Sequence, residues 1–231
     1  MRSFSILLIT SFLISCSSSD NDPGYQATPI DLEVPQIFSN LLLPPAIPSD
    51  NPQTVEGILL GRKLFYEPLL SGDGTQACAN CHLSENSFTD SARFSTGITG
   101  AIGTRNAMPL YNMAWNFEEN FLWDGGAKSL EEQVSDPIEN VIEMNNTWPN
   151  ALATLQATTT YPELFSQAFG TSTITKELVT KAIAQFERTM ISGNSRFDQY
   201  LLGDQNVVTA SEINGFNIFM DEERGDCFHC H

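Results

Sequence analysis

Two short runs in this 231-residue chain combine thiols and imidazoles at a fixed spacing: Cys78-Ala79-Asn80-Cys81-His82 and Cys227-Phe228-His229-Cys230-His231. Two thiols at this spacing on one helical turn reach the two vinyl groups of a haem, and the histidine that follows reaches the iron as an axial ligand. C-x-x-C-H is therefore the attachment pattern of haem c. A C-x-x-C pair also serves thioredoxin-like redox centres and zinc ribbons, but neither needs a histidine directly after the second cysteine. The chain has three histidines, and two of them stand in that position. The reading is two covalently bound haem c groups, carried by Cys78, Cys81, Cys227 and Cys230, with His82 and His231 on the irons.

The elements that must position these residues read as helices. Pro52 suits a first helical position, and Val55, Ile58, Leu59, Leu64 and Phe65 recur at the three-to-four spacing of a buried helical face. A turn at Ser71-Gly72-Asp73-Gly74 then delivers Cys78. Ser129-Leu130-Glu131-Glu132 and Thr209-Ala210-Ser211-Glu212 are capping boxes, and Pro149 and Pro162 mark helix starts. The longest helix is expected from about Thr175 to Ile191, with Leu178, Val179, Ala182, Ile183 and Phe186 as its apolar stripe. No strand pattern competes, so the fold class is all-α. Gly61-Arg62-Lys63-Leu64-Phe65 precedes the first C-x-x-C-H and Gly215-Phe216-Asn217-Ile218-Phe219 the second, an internal echo that fits duplication of one module.

Composition narrows the partners. A formal charge of −17 opposes phosphate backbones and anionic lipid surfaces, which argues against nucleic acid. The same charge would steer a cationic protein partner, or would simply keep a soluble surface solvated. Arg2 and the apolar run Phe4 to Ile14 have the proportions of a secretory signal over residues 1–15 and are too short to span a bilayer. Leu13-Ile14-Ser15-Cys16 resembles a bacterial lipobox, which makes Cys16 the lipidated first residue of the mature protein; an ordinary signal with a chance cysteine is the alternative. Residues 16–50, rich in Pro, Ser and Asn, read as the lipidated cysteine followed by a flexible linker. Localisation in the periplasm follows, lipid-anchored to the outer membrane, the anchor being the only membrane contact.

The phrases LGRKLFYEPLLS, CANCH, SFTD, RNAMPLYN, FLWDGGAKSLEEQ and IEM, continuing through FERTMISGNSRFDQYLLGD to CFHCH, resemble in order and spacing those of the bacterial di-haem cytochrome c peroxidase family, which includes the MauG-type enzymes. The resemblance covers most of the chain after the linker. It implies two cytochrome c-like helical domains: an N-terminal peroxidatic domain over residues 51–200 and a C-terminal electron-transfer domain starting at 201–231. The first haem would react with hydrogen peroxide, and the second would collect electrons from a small donor such as a cytochrome c or a cupredoxin. A homodimer is left open.

Carried over position by position, the resemblance puts the inter-haem tryptophan on Trp123, the active-site glutamine on Gln133 and the distal acid-base glutamate on Glu143. Taken without it, these would be a core aromatic, a surface helix residue and a solvated carboxylate. Asn106 resembles the inter-domain calcium position. Arg62 is open between pairing with a haem propionate and simple exposure.

Two departures qualify the resemblance. Many members close the peroxidatic haem with a second histidine after C-x-x-C-H, and here none lies between His82 and His229, which fits a first haem open even when oxidised. Met108 or Met113 is a substitute ligand to be weighed against a core methionine. The second departure is that the chain ends on His231; a complete second module, with its methionine or tyrosine ligand, is expected to need roughly a further 100 residues. That ligand would separate a peroxidase from a MauG-type enzyme that oxidises residues of a partner protein. A purely electron-transferring di-haem cytochrome would need no distal carboxylate.

Overall fold

In the computed structural model, whose described residues are 25–41 and 44–230, helix α2 (Val55–Phe65) lies directly against α6 (Lys176–Glu187). Gly61 makes this possible, since a Cβ there would sit 1.8 Å from the carbonyl oxygen of Ala182. Around this pair pack α3 (Leu130–Glu139), α4 (Trp148–Gln156) and α5 (Thr160–Phe169). Leu60, Leu64, Phe65, Ile138, Leu155, Phe165, Val179 and Ile183 meet in one apolar core, each almost wholly withdrawn from water. Only isolated bridges, and no strands, occur among the described residues, so the expected all-α class holds.

Side-chain caps set the helix starts. Thr54, Ser129, Thr147, Thr175 and Thr209 each accept a hydrogen bond from a backbone N–H of the first turn that follows. The box at Thr209 is reciprocal, because Glu212 accepts from the Thr209 N–H at 2.7 Å. That at Ser129 is half-formed, as the Glu132 carboxylate accepts from the Lys128 N–H instead.

Two expectations change. Helix α6 stops at Glu187, short of Ile191. The Thr189 hydroxyl and N–H both donate to the Phe186 carbonyl, which draws the chain into a tighter turn. Within the stretch read as linker, helix α1 (Gln36–Leu41) buries Ile37 and sets Phe38 against Trp115 in a tilted ring contact with centroids 4.6 Å apart. Thr28 bonds the Glu56 carboxylate through both its N–H and its hydroxyl, and the Tyr25 hydroxyl donates to the Ala168 carbonyl. A few apolar side chains spaced among prolines suffice to dock this stretch, and they leave no periodic signature. The leader, Cys16 and His231 lie outside the described residues.

The last segment contains α7 (Arg196–Leu201) and α8 (Ala210–Phe219), joined by the Phe197–Phe216 ring contact at 5.1 Å and the Arg196–Glu212 ion pair. Neither helix has a buried residue.

Candidate active site

The first C-x-x-C-H forms a 3-10 turn, Cys78–Asn80. The Asn80 side chain accepts from the Ala77 N–H at 2.7 Å, and the Cys78 carbonyl accepts from the N–H groups of both Cys81 and His82. This puts both thiols and the imidazole on one turn. No disulfide joins the thiols. Burial pushes the Cys78 thiol up to about 12 and raises that of Cys81, so both are neutral.

The loop after His82 closes on itself through the Leu83–Thr89 bridge, with Ser87 and Phe88 in left-handed backbone at φ 63° and 55°. It brings the Phe88 carbonyl 2.9 Å from His82 Nδ1. With Nδ1–H donated there, Nε2 keeps its lone pair for a metal. Burial holds the imidazole pKa below its ordinary value and favours this neutral form.

A cavity of about 340 Å³, within the range of cofactor and ligand sites, is lined by Cys81, His82, Asn106, Met108, Trp123, Gln133 and Glu143, among others. Gln133 reaches it from α3, where it is buried. Glu143 arrives on the turn that follows that helix. Pro137 has no N–H to continue the helical ladder, and Asn140 ends α3 as its cap. Asn140 then accepts from the Glu143 N–H through its carbonyl and donates from Nδ2 to Glu143 Oε1 at 2.8 Å. Burial and the charge of Asp136 raise the Glu143 pKa above the usual carboxylate value, and the Asn140 hydrogen bond opposes them.

A second loop clamps Glu143 from the other side. The Ile98 N–H donates to the Glu143 carbonyl at 3.0 Å, and a Cβ on Gly97 would sit 1.7 Å from the Ile142 carbonyl oxygen. The attachment segment joins the same turn, because the Gly72 N–H donates to the Met144 carbonyl at 2.8 Å.

Trp123 borders the cavity with its indole 60% exposed, turned outward after Leu122 in left-handed backbone at φ 67°. Its Nε1–H donates to the Asn106 carbonyl at 2.8 Å. The Asn106 amide is occupied in the protein: Oδ1 accepts from Thr89 Oγ1, and Nδ2 donates to the Ala92 carbonyl. Among the described residues no group of three or more His, Cys, Asp or Glu has metal-site geometry. Arg62 is exposed. Met113 packs beside the small apolar cluster of Phe121, Ala127, Leu130 and Ala184, whereas Met108 lines the cavity.

The cavity thus unites Cys81, His82, Trp123, Gln133 and Glu143; Cys78 packs behind them against the core. Two neutral thiols and a neutral imidazole whose Nδ1 is committed to the Phe88 carbonyl, beside a cavity of this size, fit a covalently attached haem. Sequence reading missed Asn140, Asp136 and Gly97. Asn140 stands three residues before Glu143 at a helix end, where Asn side chains cap turns, and that spacing was the available signal. At the second motif, Cys227–His229 forms the same 3-10 turn, with His229 Nδ1 on the Asp226 carboxylate.

The model of the di-haem cytochrome c peroxidase family matches residues 55–206. The chain is 35% identical over 184 residues to the methylamine utilization protein MauG of Methylophilus methylotrophus, covering 80% of this chain and 54% of that protein. It is 36% identical over 190 residues to the cytochrome c peroxidase Ccp of Escherichia coli (strain K12), covering 80% and 39% respectively. The crystal structure of a MauG-like protein associated with microbial copper homeostasis superposes with a TM-score of 0.78 at 33% identity, over 87% of this chain and 58% of that one. The chain spans about half the length of the curated relatives it matches. A matched family model covering residues 55–206, relatives above 30% identity and a cavity fitted to haem agree: the chain belongs to the di-haem cytochrome c peroxidase family.

Proposed function

We propose that this chain carries the peroxide-reducing half of a di-haem peroxidase, which converts H2O2, two protons and two electrons into two waters. The observation that carries the reading is Glu143, a half-buried carboxylate of raised pKa, in one cavity with His82 and Gln133. A haem held by Cys78 and Cys81 supplies an iron that binds peroxide and takes up electrons. His82 would hold that iron through Nε2, its Nδ1 being committed to the Phe88 carbonyl. The Glu143 carboxylate takes a proton from one peroxide oxygen and returns it to the other, which turns a poor leaving group into water. The Gln133 amide orients peroxide by hydrogen bonding, and its burial limits competition from bulk water. Trp123 would serve as an aromatic relay that shortens the path for electrons arriving from a second haem, which Cys227, Cys230 and His231 would hold.

The absence of a histidine between His82 and His229 supports a first haem open in the oxidised state. The acidic chain suits a cationic cytochrome c or cupredoxin as donor. The leader and Cys16 support an exported, lipid-anchored protein of the periplasm, on the outer membrane. A second reading, oxidation of residues of a partner protein by the same haem pair, is favoured by the 33% identity to a MauG-like protein.

Electron paramagnetic resonance of the oxidised, haem-loaded full-length protein tests the proposal before and after one equivalent of peroxide. A high-spin ferric signal consumed by peroxide is expected. Two low-spin signals indifferent to peroxide would sink the open-haem reading.

A further inference from the structure

Glu143 sits on a turn held by the backbone and the side chain of one residue, Asn140. Asn140 makes four contacts there: its carbonyl accepts from the N–H groups of Glu143 and Asn145 at 3.0 and 2.9 Å, Oδ1 accepts from the Ile142 N–H at 3.0 Å, and Nδ2 donates to Glu143 Oε1 at 2.8 Å. The Oδ1 contact folds the backbone as an Asx turn. It also fixes which end of the amide faces the carboxylate. Because Oδ1 is committed to Ile142, the atom left for Glu143 is the NH2 donor. A carboxylate offered a donor in a half-buried site is favoured in its ionised form and loses rotamer freedom.

We propose that Asn140 is the positioning residue of the acid-base pair formed by Glu143 and peroxide: it holds Oε1 from one side, so that the second oxygen is the one presented to the substrate. This rests on the reading of Glu143 given above. Asn140 is the side chain that hydrogen-bonds the Glu143 carboxylate; the Gln133 amide in the same cavity is the one assigned to peroxide, and the titratable groups around Glu143 give it no hydrogen bond. Asp136, on α3, is a like charge, and Cys78 and Cys81 are buried neutral thiols. Of the remaining charged or titratable cavity residues, Asp124 is anionic and committed with Arg105 to an ion pair at 2.8 Å, and His82 Nδ1 is on Phe88. The clamp at residues 95–103 has no charged side chain. The Asn140 donor thus works against burial and against Asp136, in the direction of the ionised carboxylate.

Two substitutions separate donation from turn formation. Asn140→Asp keeps an oxygen for the Ile142 N–H but replaces the donor with an anion; Asn140→Ser keeps a weaker acceptor for the turn and removes the donor without adding charge. In haem-loaded full-length protein, the second-order rate of peroxide consumption is measured against pH beside wild type and Glu143→Gln, normalised to haem content. In wild type the rate rises with pH as Glu143 ionises. Asn140→Ser is expected to lower the plateau about ten- to a hundredfold, the range for losing a hydrogen bond to a charged group, and to move the rising limb to higher pH because the donor that favours the ionised carboxylate is gone. Asn140→Asp is expected to move the rising limb to higher pH by about one unit, since a like charge opposes ionisation. A residue that merely holds the turn would lower stability and leave the limb in place. If Glu143→Gln collapses the rate while both Asn140 variants keep the wild-type plateau and limb, the positioning role is overturned and the function of Glu143 stands. If Glu143→Gln reacts like wild type, the proposed function falls and this role with it.

Discussion

Arg188 grips Glu131 through two parallel hydrogen bonds, Nη1 to Oε1 at 2.9 Å and Nη2 to Oε2 at 3.1 Å. The pair ties the end of α6 to the turn of α3 that presents Gln133. Asn51 adds a third hydrogen bond, from Nδ2 to Oε1 at 2.6 Å, and so fastens the chain ahead of α2 to the same carboxylate. Arg188 is buried and Glu131 nearly so; burial pushes the Glu131 pKa up, but its bonds to Arg188 outweigh this and leave it below the usual carboxylate value. Its stabilisation is therefore present above the ordinary carboxylate range and is lost as pH falls through the lowered value. Glu131→Ala strands a buried guanidinium and is expected to cost about 3–5 kcal/mol. Thermal or urea unfolding at pH 7 checks this, and a loss under about 1 kcal/mol would contradict it.

Glu187, the neighbour of Arg188, behaves in the opposite way. It is 4% exposed, its Oε2 has no protein hydrogen-bond partner, and burial raises its pKa to about 8. A carboxyl raised on folding contributes stability fully below its unfolded value and loses it as pH climbs through about 8. Glu187→Gln keeps the shape and removes the charge. The variant is expected to gain on wild type between pH 5 and 9, by on the order of a few kcal/mol at the alkaline end. Parallel melting curves at several pH values decide it; curves that stay parallel refute it.

Gly97→Ala places a methyl group 1.7 Å from the Ile142 carbonyl oxygen and 2.7 Å from that of Glu143, so one backbone must move. A displacement of the acid by about 1 Å is expected to slow peroxide consumption about a hundredfold. The fold should survive with a loss of about 1–3 kcal/mol. Stopped-flow reaction with peroxide, beside a melting curve, separates the two effects.

Trp123→Phe removes one hydrogen bond, to the Asn106 carbonyl, from a largely exposed ring. Stability is expected to change by less than about 1 kcal/mol. If the indole serves electron delivery, steady-state turnover with a donor falls, while reaction of the resting protein with one equivalent of peroxide keeps its rate. A fall in both would relocate the role of Trp123 to the peroxide pocket.

Haem chemistry was legible because attachment fixes Cys78, Cys81 and His82 within a single turn, where spacing in sequence is spacing in space. Helix starts were legible for the same reason, through caps such as Thr54, Thr175 and Thr209. Trp123, Gln133 and Glu143 stand ten residues apart, and nothing in that interval says that they meet; family phrases pointed to them, and the fold gathers them at one cavity. The Gly97 clamp, the Arg188–Glu131 pair and buried Glu187 join stretches tens of residues apart. No local pattern encodes such meetings. The docking of residues 25–41 escaped notice because it depends on a few side chains such as Tyr25 and Ile37, each finding a place on a surface built by later helices.

The bond from the Gly72 N–H to the Met144 carbonyl, with that from the Ile98 N–H to the Glu143 carbonyl, splices three loops into one hydrogen-bonded unit. One of these loops leads into Cys78, and another carries the acid. Such units open together in native-state hydrogen exchange, so the amides of Gly72, Ile98 and Glu143 should share one opening free energy. A fluctuation that loosened the segment leading into Cys78 would then also displace Glu143, and the protein would pass between an assembled pocket and an open one without lingering in a half-assembled form.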